Sequence, residues 1–349
     1  MIRVLIAEDS PLIAAMMRDL LKQEPEIEVV GRAKNGHEAI QLANSLQPDV
    51  ITMDLNMPVL GGLEAIKTIT SIRRTPILVI SGMIENRDSD LAFEALRNGA
   101  VDIMGKPAGY GERGLLNIKE ELISRVKAVA RIRPIRLVRK APAHSPRIKL
   151  TGQQGRREKI VVIGASTGGP PALAVILKAL PPDFPSPIAI VQHIAPGFVT
   201  GLAQWLSREA SFSAKVATNE EPLKAGTVYL APDNAHLEIG AGKKILLSNG
   251  LPVRGHRPSV DRLMESAARS HGRHAVGVLL TGMGSDGAEG LKKIREAGGK
   301  TIVQDEASSL VFGMPKEAIL RGAAEIISPL EKIPEEIVQA TPVEERRLK

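Results

Sequence analysis

Short apolar runs alternate along the chain with longer segments in which apolar residues recur every three or four positions. Runs at 2–7, 29–33, 50–53, 77–80 and 101–104 read as buried strands. Periodic segments near 11–23, 36–46, 62–73, 87–98 and 114–130 read as helices. Five such units predict an α/β fold with a five-stranded, parallel, doubly wound sheet. The pattern resumes after residue 158. A β-branched run at 160–163 breaks at Gly164 into a turn of small residues, and Pro170 and Pro171 then open a helical segment over 172–180. Further strands are predicted at 187–193 and 275–280, so a second doubly wound, Rossmann-like unit follows the first.

In parallel sheets of this kind, ligands gather beyond the carboxyl ends of the strands. In the first unit those positions hold Glu8 and Asp9, Asp54, Ser81, and Lys106 with Pro107. Three carboxylates at one edge repel one another unless a cation joins them. Oxygen donors with no cysteine or histidine nearby suit Mg²⁺. A hydroxyl and an ammonium beside them would grip phosphoryl oxygens, which makes Asp54 the acceptor in a phosphoryl transfer. Ordinary loop polarity explains one acid, but not this ordered set.

In the second unit, Gly164-Ala165-Ser166-Thr167-Gly168 fits G-x-S-x-G, the turn that lifts a nucleophilic hydroxyl above a sheet. By itself the turn reads equally as a phosphate cradle. Its partners bear on the choice. His193 ends an apolar strand, and Asp286 lies in the glycine-rich loop after the strand at 275–280. The three are the types needed for nucleophile, general base and orienting acid. Backbone amides around Met283, or the start of the helix after Ser166, would serve a developing oxyanion. Of the other histidines, His236 and His256 fall in predicted loops where they could line a cleft. His271 and His274 read as helix-end and strand-start residues, and no third metal ligand lies at a usual spacing. The order serine, histidine, acid differs from that of α/β-hydrolases and from the trypsin and subtilisin orders, and so implies a separate family.

The 349 residues, 43% of them hydrophobic, suffice for two full cores. The absence of cysteine excludes disulfides and thiolate chemistry. No apolar run approaches the ~18 residues of a membrane span. The first residues are too short a run, and too acidic at Glu8-Asp9, for a signal peptide. A soluble, cytoplasmic protein without membrane insertion is expected. Residues 131–159 carry ten basic residues and one acid, a net +9 against +7 for the whole chain, so the remainder sums to −2. The basicity belongs to one proline-containing segment that reads as a solvated linker, and no nucleic-acid partner is expected.

Residues 1 to about 125 resemble a response-regulator receiver domain. The likeness rests on Glu8-Asp9, Asp54 with Met57-Pro58 and Gly61-Gly62, Ser81, and Lys106-Pro107. It implies phosphorylation of Asp54 by a histidine kinase and support from Ser81 and Lys106. It further implies Mg²⁺ on Glu8, Asp9, Asp54 and the Asn56 backbone, and a cis peptide before Pro107. One departure is Ile103, where the family often carries an aromatic switch residue. Residues 158–335 resemble the catalytic domain of chemotaxis protein-glutamate methylesterases of the CheB type. The motifs are Gly164-Ala-Ser-Thr-Gly-Gly169, Gln192-His193, Pro196-Gly-Phe198, Ala231-Pro232, His256-Arg-Pro-Ser-Val-Asp261, Leu280-Thr-Gly-Met-Gly-Ser-Asp-Gly287, and Gln304 through Glu306-Ala-Ser308 to Phe312-Gly-Met-Pro315.

This second resemblance implies a Ser166–His193–Asp286 triad with the Met283 N–H in the oxyanion hole and no cofactor in the catalytic domain. It implies hydrolysis of glutamyl methyl esters on chemoreceptors and deamidation of certain receptor glutamines, under control of the receiver. The expected division is a receiver at 1–125, a basic flexible linker at 126–157 and the methylesterase domain at 158–349. The competing readings are a DNA- or nucleotide-binding response regulator and a general carboxylesterase. Gly164-x-x-x-Gly168-Gly169 is not G-x-G-x-x-G, and no helix-turn-helix signature is present.

Overall fold

The computed structural model describes residues 1–73, 75–82, 86–106, 112–131, 159–210 and 212–341, with backbone only for 86–89 and 112–118. The chain forms two compact units, Met1–Arg139 and Lys140–Lys349.

In the first unit the strands are β1 (Ile2–Ala7), β2 (Ile27–Ala33), β3 (Val50–Met53), β4 (Ile77–Ser81) and β5 (Asp102–Gly105). Helices α1 (Pro11–Leu21), α2 (Gly36–Leu46), α3 (Gly62–Ile72), α4 (Asn86–Arg97) and α5 (Glu112–Ala130) connect and follow them. All strand pairs are parallel, in the order β2-β1-β3-β4-β5. Strands buried on both faces need near-continuous apolar sequence, and β3 and β4 are buried at every position. Ser10 and Asn35 cap α1 and α2, their side-chain oxygens accepting from Ile13 and Glu38 N–H. The expected linker at 126–157 overlaps the end of a helix. α5 runs to Ala130, because Val126 and Val129 are fully buried against the sheet's core cluster.

The second unit begins with β6 (Ile160–Ala165), α6 (Gly169–Ala179), β7 (Ile188–Gln192), α7 (Phe198–Glu209), β8 (Ser213–Val216) and β9 (Thr227–Leu230). A hairpin follows, β10 (His236–Gly240) and β11 (Lys244–Ser248). Then come α8 (Val260–His271), β12 (Ala275–Leu279), α9 (Ala288–Glu296), β13 (Lys300–Gln304), α10 (Met314–Leu320), β14 (Ile326–Ser328) and α11 (Ile333–Ala340). Seven strands form a parallel sheet in the order β14-β13-β12-β6-β7-β9-β8; β10 and β11 pair antiparallel outside it. The chain leaves β6 toward β7 on one side and returns through β12 on the other. The crevice where the strand order reverses therefore opens at the end of β6, the place where doubly wound folds bind ligands. α8 seals it from one face, with Val260, Leu263, Met264 and Ala267 fully buried among Val162, Leu279 and Leu291.

Candidate functional sites

In the first unit the strand ends bring the predicted residues together. Glu8 and Asp54 are almost fully buried, and Lys106 reaches both: its Nζ donates to Asp54 Oδ2 at 2.7 Å and to Glu8 Oε1 at 3.1 Å. Glu8 Oε2 lies 3.0 Å from the same ammonium but out of line for a hydrogen bond. The Ser10 N–H holds Glu8 at 3.1 Å and the Asn56 N–H holds Asp54 at 3.2 Å. Burial pushes both carboxyls above their ordinary values, with the Lys106 hydrogen bonds opposing. Burial alone would lower Lys106, but Asp54 and Glu8 together outweigh it and raise it.

Asp9, exposed at the rim, completes a group of three carboxylates with donor oxygens all within 4.8 Å of one another. Three negative charges against one ammonium, all through oxygen, fit a hard divalent cation. Ser81 closes β4, fully buried. Ile103 is buried in β5. The predicted cis peptide before Pro107 and most of the basic segment, with His144, lie outside the described residues.

In the second unit the β6–β7 register ends with Ala165 opposite Gln192, so Ser166 and His193 leave neighbouring strands side by side. The His193 N–H donates to the Ala165 carbonyl at 2.9 Å. Ser166 is 8% exposed. Its N–H donates to the Thr281 carbonyl at 3.0 Å, and its own carbonyl accepts from Gly169 N–H and Gln192 Nε2, each at 2.8 Å. The turn needs a left-handed residue at Gly168, φ +76°, where a side chain would also strike Leu310.

Thr281 ties this turn to the acid's loop. Its Oγ1 donates to the Thr167 carbonyl at 2.9 Å and accepts from Val311 N–H at 2.9 Å, while its N–H donates to Gln304 Oε1 at 2.8 Å. Gly282 passes so close that a Cβ there would stand 2.7 Å from the Ser166 Cβ and 2.3 Å from the Met314 sulfur. The next residue, Met283, is 40% exposed beside the serine turn.

His193 and Asp286 are in contact, with Nε2 2.9 Å from Oδ2. Asp286 also seats the start of α8. Its Oδ2 accepts from Val260 N–H at 2.8 Å, and its Oδ1 from Asp261 N–H at 3.0 Å and Ser259 Oγ at 2.9 Å. Burial opposes its ionisation, but His193 and these N–H donors win and hold the carboxyl down to about 2. An ionised acceptor at Nε2 leaves the proton of neutral His193 on that nitrogen. The buried Nδ1, which has no partner among the described residues, is then the basic lone pair.

A second carboxylate, Asp261, stands one step behind. Its Oδ1 accepts from Gly287 and Gly290 N–H at 2.9 and 2.8 Å, seating α9 in the same manner. Burial, reinforced by the Asp286 charge, pushes it up to about 6.

Other histidines resolve differently. His236 does not line a cleft from a loop: it opens β10, is fully buried, accepts from Ser259 N–H at 3.2 Å and lies 3.1 Å from the Leu251 carbonyl. It fastens the chain entering α8. His256 lies flat against His193, their ring centroids 4.1 Å apart. His271 pairs with Ser270 Oγ at the end of α8, and Arg273 Nε with His274, so neither builds a metal site among the described residues. Ser259, Asp261 and the His256 stack carried no individual role in the sequence reading. The signal for the first two was present, as a serine cap with an acid in the first helical turn.

Together the two sites define a class of protein: a phosphoacceptor-type α/β unit followed by a hydrolase-type α/β unit. Comparison with known proteins agrees. A family described as Response regulator receiver domain matches residues 4–114, and one described as CheB methylesterase matches residues 161–337. Protein-glutamate methylesterase/protein-glutamine glutaminase 2 of Anaeromyxobacter dehalogenans is 45% identical over 345 residues, covering 97% of each chain. The protein-glutamate methylesterase/protein-glutamine glutaminase of Pyrococcus horikoshii is 37% identical over 352 residues, covering 98% of this chain and 94% of its own. The crystal structure of the Thermotoga maritima CheB methylesterase catalytic domain superposes with a TM-score of 0.51 at 41% identity, covering 53% of this chain and 99% of that one. The chain belongs to the CheB methylesterase family, with a receiver domain ahead of the methylesterase domain.

Proposed function

We propose that this chain removes methyl groups from glutamyl methyl esters of chemoreceptors and deamidates specific receptor glutamines, as an adaptation enzyme of chemotaxis. The observation that carries the reading is the His193 Nε2–Asp286 Oδ2 pair, with His193 following the strand next to that of Ser166 and its Nδ1 without a hydrogen-bond partner among the described residues. Ser166 Oγ attacks the side-chain carbonyl while Nδ1 takes its proton. Asp286 holds the imidazolium, and the Met283 N–H stabilises the oxyanion. Collapse of the tetrahedral intermediate returns the proton from His193 to the leaving group. Methanol leaves from an ester and ammonia from an amide, and an acyl-serine remains. Water, deprotonated by His193, then attacks the acyl carbon; collapse of this second tetrahedral intermediate returns the proton to Ser166 Oγ and frees the glutamyl carboxylate on the receptor.

The receiver supplies control. Asp54 accepts a phosphoryl group from a histidine kinase, and Lys106 and Ser81 grip the phosphoryl oxygens. Glu8, Asp9, Asp54 and the Asn56 backbone would hold Mg²⁺, which neutralises their charge and that of the incoming phosphoryl group. The division we adopt is a receiver ending with α5, a basic connector, and the hydrolase from about residue 158, acting in the cytoplasm. The test is methanol release from methylated chemoreceptor membranes by the full chain. Ser166→Ala should abolish it, and unchanged release would end the serine mechanism. If small activated esters were cleaved as readily as receptor methyl esters, a general carboxylesterase would be the better description.

A further inference from the structure

His256 has no part in the mechanism above, yet its ring lies face to face with that of His193, the planes only 6° from parallel and the centroids 4.1 Å apart. It is carried on a stiff arm. Val253 and His256 exchange backbone hydrogen bonds of 2.9 and 3.0 Å around a turn with positive φ at Arg254 and Gly255. Three residues on, Ser259 Oγ donates to Asp286 at 2.9 Å. The arm that presents the second imidazole is thus anchored to the carboxylate that orients the first.

Face-to-face contact fixes the plane of the His193 ring and keeps water off one side of it. It also couples their charges. When His193 takes the serine proton, positive charge develops against the His256 ring. A neutral ring offers its π face to that cation, whereas a protonated ring opposes it with a second positive charge.

Among the described residues, the charged groups near them include Asp286 at His193 Nε2, Asp261 behind it, Asp233 on the Gly197 N–H after His193, and Arg254 and Arg257 on the His256 arm. Arg254 donates to Ser285 Oγ and its Nε lies 3.9 Å from Asp261 Oδ2, and Arg257 donates to the carbonyls of Asn249 and Gly250.

We infer that His256 is a positioning residue for ester hydrolysis: stacked and neutral, it holds the His193 ring in plane and stabilises its imidazolium. This rests on His193 acting as general base, as proposed above. The experiment measures methanol release from methylated receptor membranes by the full chain from about pH 5 to about pH 9, with His256→Phe, His256→Ala and His256→Lys. The Phe variant, which keeps a ring, should stay within about threefold of the parent with its acid limb in place. The Ala variant should fall about tenfold with its acid limb moved to lower pH. The Lys variant should fall about a hundredfold, with the limb about one pH unit lower or more. Acid limbs in the Ala and Lys variants that coincide with the parent would overturn the inference, whatever their rates. If one of those two does not fold, the other against Phe decides. Ser166→Ala separates the two levels: release that survives it removes the serine reading and this inference together. Loss of release there, with unmoved limbs in the His256 variants, removes this inference alone.

Discussion

Replacing Asp286 with Asn tests the acid by an argument specific to its surroundings. Each carboxylate oxygen faces a backbone N–H, Oδ2 that of Val260 and Oδ1 that of Asp261. An amide has one accepting oxygen, so either orientation of Asn turns its NH₂ toward one of these donors and leaves it unpaired. An unpaired buried donor costs about 1–3 kcal/mol. A second route gives a similar size. A carboxyl moved from an ordinary 3.8 to about 2 on folding is stabilised in its ionised form by about 2.5 kcal/mol. The two routes count the same contacts, so the expected loss is about 2–3 kcal/mol and not their sum.

The folded-state value lies below the unfolded one. The contribution is therefore complete above about pH 4 and is lost only as pH falls toward 2. That term should accordingly be flat from about pH 8 to about pH 5, while loss of the Asp286 charge lets Asp261 ionise more easily in the variant and so narrows the gap between parent and variant toward pH 8. Trp205, the chain's one tryptophan, is buried in the second unit and reports its unfolding in urea by fluorescence. Receptor demethylation should fall about a thousandfold or more, because the neutral amide either turns its NH₂ to His193 Nε2 and imposes the wrong tautomer or accepts from Nε2–H without the charge that holds the imidazolium. A variant with parental urea midpoint, or with activity within about tenfold, would refute the role of this carboxylate.

Asp261→Asn should behave oppositely. Both of its donors fall on one oxygen, so Asn can accept them both. Its folded-state value, pushed up to about 6, lies above the ordinary 3.8, so ionised Asp261 costs stability that grows as pH rises between them. The variant should gain on the parent by about 1–3 kcal/mol by pH 7 in the same urea assay, and a loss there would contradict this account. Asp54→Asn should keep basal methanol release and lose stimulation by a small phosphodonor; surviving stimulation would move the phosphoacceptor elsewhere. Gly282→Ala, whose Cβ would stand 2.3 Å from Met314 Sδ and 2.7 Å from Ser166 Cβ, should cost about 2–3 kcal/mol and depress demethylation. Parental Tm and rate would show that the loop can yield.

The strands that carry the chemistry could be read from sequence because they are buried on both faces and therefore apolar throughout, as β6 and β7 are. Their polar successors stood out against that background, which is how Ser166, His193 and Asp54 were found. β8, β9, β13 and β14 are not singled out by the sequence pattern; β8 alternates exposed and half-buried positions over four residues, too short for a period to register. The hairpin of β10 and β11 escaped with them, and so did the place of His236. The partners of Asp286 were hidden for another reason. Ser259 and Asp261 lie about twenty-five residues away in sequence, and only the packing of α8 against β6 and α9 brings them to the acid. The receiver cluster was easier, since a parallel sheet sends every strand end to one edge.

Because Asp286 also completes the first turn of α8, its two duties are under separate pressures. A descendant released from hydrolysis could discard Ser166, whose side chain supports nothing else described in the fold, while Asp286 would still be demanded by the helix it seats. Inactive relatives of this unit should thus lose the nucleophile first and retain the acid. A surviving aspartate at this position is then a poor witness to activity, and the serine a good one.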